Sequence, residues 1–287
     1  MIRVVPRLDI KGPNLVKGIH LEGLRVLGRP EDFARHYYEQ GADELFYMDA
    51  VASLYERNGL LDIVERTSRE LFIPLCVGGG LRSVDDIRQT LRAGADKVAL
   101  NTAALRRPQL IREAAQAFGS STIVIAVEAI RTTPGRYECF TDCGREATGR
   151  DVFDWVQQAA DLGAGEIIVT SVDREGTGKG YDLELTRRIA QSVSIPVVAH
   201  GGAAHVEHVA DVVQEGAADA VCLASLLHYR AVEQIAPTTT AAAEGNREFL
   251  KRGASFGKIG RATIAEVKTC LRERGFACRE SLVESHT

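Results

Sequence analysis

The chain has 287 residues, a length that suits either two ordinary domains or one large α/β barrel. Its formal net charge is −4 and charges of both signs are mixed along the chain, which argues against nucleic-acid or membrane binding through bulk charge. No apolar run has the length of a spanning helix and the N-terminus lacks a secretory signal pattern, so we expect a cytoplasmic protein. The six cysteines lack paired CxxC spacing, which argues against zinc clusters and disulfides.

The first predicted strand ends on a carboxylate. A mostly apolar run of strand type, residues 4–8, is followed at once by Asp9, and an apolar run at residues 123–127 ends in the same way on Glu128. The C-terminal ends of parallel strands form the catalytic face of α/β barrels. We therefore predict that Asp9 and Glu128 form a catalytic pair. For either carboxylate alone, a capping or structural role is the alternative.

The second half of the chain repeats the first. Residues 41–45 match 163–167 at an offset of 122 positions, and residues 73–80 match 195–202 at the same offset. The two strand-end carboxylates also occupy equivalent places in the two halves. A duplicated half of this kind predicts a pseudo-twofold axis, which would bring the two carboxylates to opposite sides of one opening.

Each half alternates short apolar strands with helical patterns. The helical patterns cover 31–40, 62–71, 85–93, 151–162, 183–192 and 206–214. Four strand–helix units per half predict a single (β/α)8 barrel domain, residues 1–287, built from two homologous half-barrels. We expect residues 236–261 to form an inserted loop before the last helix and 280–287 to form a frayed tail.

A glycine turn follows one predicted strand in each half. Residues 77–80 precede a predicted helix, and the glycine pair at 201–202 does so in the second half. The strand ends that come next carry polar donors: Asn101 with Thr102, and Ser225. Because backbone N–H groups at such turns bind anions, we expect a phosphate site beside each carboxylate, both opening on one mouth. Glycine clusters also serve as plain turns, but the paired occurrence favours a substrate phosphorylated at both ends.

Six stretches of the chain carry distinctive motifs: LDIK with LVKG, DELFYMDAVAS, VGGG, ADKVALNTAA, GAGEIIVTSVDREGTGKGYD and HGGA. Together they resemble the cyclase subunit of imidazole glycerol phosphate synthase, the HisF-type family of histidine biosynthesis. The resemblance covers 3–229 and resumes at 263–279. It implies a lyase that uses ammonia to convert a bis-phosphorylated formimino-carboxamide ribonucleotide to imidazole glycerol phosphate and aminoimidazole carboxamide ribotide. It implies no cofactor and no metal.

The resemblance also assigns roles to residues. It makes Asp9 and Glu128 the acid–base pair. It places substrate contacts at Lys17, Gly80, Asn101, Thr102, Glu175, Gly176, Thr177, Gly202 and Ser225. It places an ammonia gate in the barrel floor at Arg3, Glu44, Lys97 and Glu166. For these four residues a plain salt-bridge ring is the alternative. The ammonia would come from a glutaminase partner, so the resemblance implies a heterodimer.

Four residues depart from the family pattern. Glu128 and Glu175 stand where the family has aspartate, and His200 and Arg7 stand where it has small residues. One added methylene moves a carboxyl group by about an ångström, which costs on the order of a hundredfold in rate in a site built for proximity. Two other functions therefore remain open. One is a paralogous barrel that delivers ammonia to another acceptor, as in amidination of a surface sugar, and the other is a non-catalytic activator of the glutaminase. The sister isomerase of the same pathway is a further alternative, but the motif TSVDREGTGKGYD and the floor residues match the cyclase better.

Overall fold

The computed structural model describes residues 1–52, 60–235 and 259–280. The strands are β1 (Arg3–Lys11), β2 (Asn14–Ile19), β3 (Glu22–Gly28), β4 (Leu45–Asp49), β5 (Leu75–Gly78), β6 (Lys97–Leu100), β7 (Ile123–Thr133), β8 (Arg136–Thr141), β9 (Glu146–Asp151), β10 (Glu166–Ser171), β11 (Val197–His200) and β12 (Ala220–Leu223). The helices are α1 (Pro30–Glu39), α2 (Leu61–Ser68), α3 (Val84–Arg92), α4 (Thr102–Arg106), α5 (Gln109–Phe118), α6 (Val152–Asp161), α7 (Leu183–Ser192), α8 (Val206–Gln214), α9 (Ser225–Gln234) and α10 (Ile264–Glu273).

Eight parallel strands close into a barrel. Their order around the ring is β1, β4, β5, β6, β7, β10, β11 and β12, and β12 pairs with β1 to complete it. This confirms the predicted (β/α)8 barrel. Since β1 and β7 are four places apart in a ring of eight, the strands that end near Asp9 and Glu128 lie on opposite sides of the barrel.

The barrel strands read as nearly continuous apolar runs because they are buried on both faces. The side chains that fill the inside of the ring are Val5, Phe46, Cys76, Ala99, Val124, Ala126, Ile168, Val198, Ala220 and Cys222. The outward-facing side chains pack against the helices in two further apolar clusters. A closed barrel of this size is therefore a packed core, and its open site lies at the strand ends.

The six predicted helices lie close to their predicted bounds, and the structure adds α4 and α5, which the pattern did not predict. Those at Leu183–Ser192 and Val206–Gln214 begin and end at the predicted residues. Helix α2 ends at Ser68, three residues before the predicted end, because the N–H groups of Glu70 and Leu71 both bond the carbonyl of Thr67 in a closing turn. Strong amphipathic periodicity and local caps explain the agreement elsewhere, since both depend on neighbouring residues only.

A β-hairpin follows each of the two strands that carry the predicted acids. Strands β2 and β3 pair antiparallel after β1, and β8 and β9 do so after β7. Both hairpins therefore stand at the C-terminal face of the barrel, on opposite sides. Each half of the barrel thus carries one inserted hairpin, and the two hairpins place extra backbone over the mouth.

The predicted inserted loop lies outside the described residues up to position 258, and the predicted tail does so from position 281. These two domain assignments stay predictions. The six cysteines are all free thiols. Within the described ranges no helix is long and apolar enough to cross a membrane.

Candidate active site

Asp9 and Glu128 line one cavity at the C-terminal ends of the barrel strands. The cavity has a volume of about 280 Å³. Asp9 is buried near the end of β1, and the partly buried Glu128 lies on β7 across the ring. Two carboxylates on opposite walls of a cavity can exchange protons with opposite sides of one bound molecule.

The two carboxyl groups have different surroundings. Burial raises the pKa of Glu128 to about 7, although the N–H of Gly144, which donates to Oε2 at 2.8 Å, and the charge of Arg7 act in the opposite direction. Asp9 instead accepts a hydrogen bond from Nε of Arg7 at 2.8 Å. Glu128 is therefore suited to give and take a proton near neutral pH, while Asp9 sits against a fixed cation.

The glycine turns of the two halves have the same geometry. Gly79 has a φ of 97°, and a Cβ atom there would lie 2.7 Å from the carbonyl oxygen of Asp49. At Gly201, 122 positions later, φ is 101° and a Cβ atom would lie 2.8 Å from the carbonyl oxygen of Ser171. Both positions therefore require glycine, because the turn must pass close against the neighbouring strand end.

The first predicted phosphate site lies in the large cavity. Gly79, Gly80, Asn101 and Thr102, which we call the first cradle, all line it. Oδ1 of Asn101 is buried and has no hydrogen-bond partner among the described residues. Three arginines that were not predicted as site residues line the same cavity: Arg82, Arg106 and Arg107. They follow the VGGG and NTAA motifs closely, and arginine beside a glycine turn is a typical phosphate ligand.

The second predicted phosphate site lines a separate cavity. Gly201, Gly202 and Ser225, which we call the second cradle, surround a space of only about 20 Å³. Ser225 begins α9, and the residue before it provides no side-chain cap, so the N–H groups of the first helical turn remain suited to an anion. We expected one cavity that contains both cradles, but in this structure each cradle lines a cavity of its own.

Two buried contacts divide the mouth. Lys17 on β2 forms an ion pair with Glu175, whose Oε2 also accepts a hydrogen bond from the N–H of Leu21 at 3.0 Å. Nη1 of Arg7 approaches Nδ1 of His200 at 3.3 Å, and these two side chains line the large and the small cavity respectively. The centre of the mouth is therefore filled by side chains that are far apart in the sequence. The strand pattern did not indicate this arrangement.

The two predicted residues that follow Glu175 in the chain, Gly176 and Thr177, have different surroundings. Gly176 lines the small cavity and also lets the β2–β3 hairpin approach, since a Cβ atom there would lie 2.9 Å from the Cα atom of Ile19. The hydroxyl of Thr177 donates to the carbonyl of Arg174 at 2.7 Å, and Thr177 is not among the residues that line either cavity.

The four predicted gate residues meet at the opposite end of the barrel. Arg3 lies 2.6 Å from Glu44 through Nη1 and also bonds Glu166. Nζ of Lys97 lies 3.0 Å from Glu44 and 2.9 Å from Glu166. Each cation thus contacts both acids. Burial alone would lower the pKa of Lys97, but the two carboxylates outweigh burial and raise it.

Comparison with known proteins identifies the family. A sequence model of the family described as histidine biosynthesis protein matches residues 3–233. Imidazole glycerol phosphate synthase subunit HisF of Legionella pneumophila is 59% identical over 206 residues, which are 72% of this chain and 97% of that protein. The same subunit of Alkaliphilus metalliredigens (strain QYMF) is 50% identical over 80% of this chain and 91% of its own, and that of Thermobifida fusca (strain YX) is 44% identical over 97% and 98%.

The chain belongs to the HisF family. This confirms the resemblance drawn from the motifs, and with it an enzyme of the lyase type that serves histidine biosynthesis. The HisF relatives are named as subunits of a synthase, so a HisF-family chain works with a partner subunit.

The floor ring of this HisF-family barrel allows a test of stability. Lys97→Met should lower the free energy of unfolding by on the order of 1 to 3 kcal/mol, because it leaves two nearly buried carboxylates facing each other with Arg3 alone. Urea unfolding at pH 7 measures the change. The matched control is Arg69→Met, which removes an exposed pair with Glu65 and should change stability by about 0.5 kcal/mol or less. Equal losses in the two variants would contradict the buried-ring interpretation.

Proposed function

We propose that the mouth of the barrel carries out the cyclase reaction of imidazole glycerol phosphate synthase. In this proposal ammonia from a glutaminase partner converts a bis-phosphorylated formimino-carboxamide ribonucleotide to imidazole glycerol phosphate and aminoimidazole carboxamide ribotide. The observation that carries it is the placement of Asp9 and Glu128 on opposite walls of one cavity beside the first cradle. Cleavage followed by ring closure needs proton transfers at separate atoms of one bound chain, and two carboxyl groups with different environments supply them.

The residues of the mouth take the following roles in this proposal. One phosphate group binds the first cradle with help from Arg82, Arg106 and Arg107, which line the same cavity. The other phosphate group binds the second cradle. Lys17, which lines the large cavity, is placed to contact the substrate between them. Lys17 belongs to the β2–β3 hairpin, and both Lys17 and the N–H of Leu21 contact Glu175. The ion pair therefore also holds this hairpin over the site.

Ammonia enters, we propose, through the floor ring and crosses the barrel to reach Asp9. The inside of the ring between floor and mouth is apolar and includes the small side chains of Ala99, Ala126 and Ala220. Uncharged ammonia crosses such an interior at far lower cost than ammonium does. A partner that delivers ammonia at the floor, opposite the mouth, therefore suits this arrangement.

A steady-state assay tests the proposal. The isolated chain should turn over the ribonucleotide when ammonium salt is supplied at alkaline pH, where free ammonia is abundant. With the glutaminase subunit present, glutamine should replace the salt. Absence of turnover under both conditions, with a folded protein, would overturn the proposed reaction.

One observation favours a second candidate function, delivery of ammonia to a different acceptor. The second cradle encloses about 20 Å³, which is room for about one water molecule. A phosphate group enters this cradle when the surrounding side chains move, whereas an acceptor with a single anionic end needs no such movement. Stimulation of the glutaminase without ribonucleotide turnover would favour this candidate.

A further inference from the structure

Arg7 is held on several sides in the middle of the mouth. Its buried guanidinium donates to Oδ1 of Asp9 at 2.8 Å through Nε and to Oγ1 of Thr170 at 3.1 Å through Nη1. The same Nη1 lies 3.3 Å from Nδ1 of His200, and the Arg7 Cζ atom lies 5.5 Å from the centre of the Phe46 ring. With contacts in four directions the guanidinium has one orientation.

This orientation determines the tautomer of His200. Arginine has no hydrogen-bond acceptor, and the Thr170 hydroxyl, which accepts from Arg7, lies 3.1 Å from the same Nδ1 with its own hydrogen left to donate. Nδ1 of His200 satisfies both neighbours when it accepts and carries no hydrogen. Burial, together with the charges of Arg7 and Lys17, lowers the pKa of His200 well below its usual range, so the ring is neutral. A neutral imidazole carries one N–H group. That hydrogen therefore lies on Nε2.

The ring of His200 also borders the other cavity. His200 lines the space formed by Gly202 and Ser225, and among the described residues the structure shows no hydrogen bond to its Nε2. Nε2 of His200 is also not one of the fully buried polar atoms that have no hydrogen-bond partner. An N–H donor beside a glycine turn and a helix N-terminus completes a set of donors for an oxyanion.

We propose that Arg7 is a positioning residue that fixes the Nε2–H tautomer of His200, and that His200 donates this N–H group to the phosphate group bound in the second cradle. The assignment rests on the proposed function for the presence of a phosphate group at that cradle. It explains why a bulky histidine stands before the glycine pair on β11 and why an arginine stands on β1, two places along the ring, where its Nη1 lies 3.3 Å from the histidine Nδ1.

The tautomer is measured by long-range proton–nitrogen NMR of the labelled histidine rings. In the unchanged protein the His200 ring should show a hydrogen on Nε2 and none on Nδ1. In Arg7→Met, which keeps a similar volume but has no donor, the two tautomers should become mixed, while the ring of His36 on α1 stays unchanged. An Nδ1–H ring or an imidazolium in the unchanged protein would overturn the proposal without reference to any variant.

Phosphate binding is measured by titrating inorganic phosphate and following the amide signals of Gly202 and Ser225. His200→Phe should weaken this binding by about tenfold, because it removes one hydrogen bond to a charged group. His200→Gln, which restores an N–H donor, should recover part of the affinity. The matched control is His205→Phe, an exposed histidine outside the second cradle, which should leave the affinity unchanged. Equal affinity in the His200→Phe variant and the unchanged protein would overturn the role of His200.

Turnover separates this inference from the proposed function. With the ribonucleotide substrate, His200→Phe should raise KM by about tenfold and leave kcat nearly unchanged, whereas Arg7→Met should also lower kcat because Arg7 holds Asp9. If phosphate binding depends on His200 but the protein has no cyclase turnover, the proposed function is wrong and the role of His200 stands. If the protein turns over the ribonucleotide and His200→Phe changes neither KM nor kcat, the role of His200 is wrong and the proposed function stands.

Discussion

Asp9→Asn should lower kcat by about 10²- to 10⁴-fold, the usual contribution of a positioned acid–base group. Asparagine has nearly the same shape, and its side-chain oxygen still accepts the hydrogen bond that Nε of Arg7 makes to Oδ1 at 2.8 Å. The variant therefore keeps the local packing and loses only the ability to carry a proton. The measurement is steady-state turnover of the ribonucleotide with ammonium salt, together with urea unfolding to establish that the fold is intact.

The matched control for this variant is Asp62→Asn. Asp62 is exposed on α2, outside both cavities, and its carboxyl group should contribute nothing to turnover. If Asp9→Asn retained more than about a tenth of the activity, Asp9 would be a structural partner of Arg7 and not a proton carrier.

Glu128→Gln should lower kcat by about 10²- to 10⁴-fold as well and should change the pH profile. The pKa of Glu128 is about 7, so kcat/KM of the unchanged protein should show an inflection near pH 7. The glutamine variant lacks that inflection, since it carries no titrating group at this position. Profiles that share the inflection would assign it to another residue.

The same substitution should stabilise the fold at alkaline pH. Glu128 has its pKa raised from 4.5 to about 7 in the folded protein, so the folded state keeps a proton that the unfolded state has lost. Stability from this group is fully present below pH 4.5 and is lost as the pH rises through 7. At pH 8, Glu128→Gln should therefore be more stable than the unchanged protein, by on the order of 1 to 3 kcal/mol.

Urea unfolding at pH 5 and pH 8 measures this difference. Glu207→Gln, an exposed position on α8, is the control and should behave like the unchanged protein at both pH values. Lower stability of Glu128→Gln at pH 8 would mean that the ionised carboxylate is stabilised by Gly144 and Arg7 more than burial disfavours it. Gain of stability with loss of turnover is the pattern expected of a group that is strained for function.

The amino-acid sequence by itself determined the barrel, six of its helices and the repeat. Helices α7 and α8 begin and end where the pattern placed them, because amphipathic periodicity is a property of adjacent residues. Local patterns that occur once in each half also predicted the glycine turns at Gly79 and Gly201 and the two strand-end carboxylates. Duplication then predicted which elements face each other, since equivalent strands of two half-barrels stand on opposite sides of a closed ring.

Only the tertiary structure decided how the centre of the mouth is filled. Arg7 and His200 are 193 residues apart, and Lys17 and Glu175 are 158 apart, yet each pair is in direct contact. Whether two such side chains meet depends on barrel closure, strand tilt and side-chain length, and none of these is a property of a short stretch of chain. The pKa of Glu128 is decided in the same way, because burial sums over groups that several strands bring together.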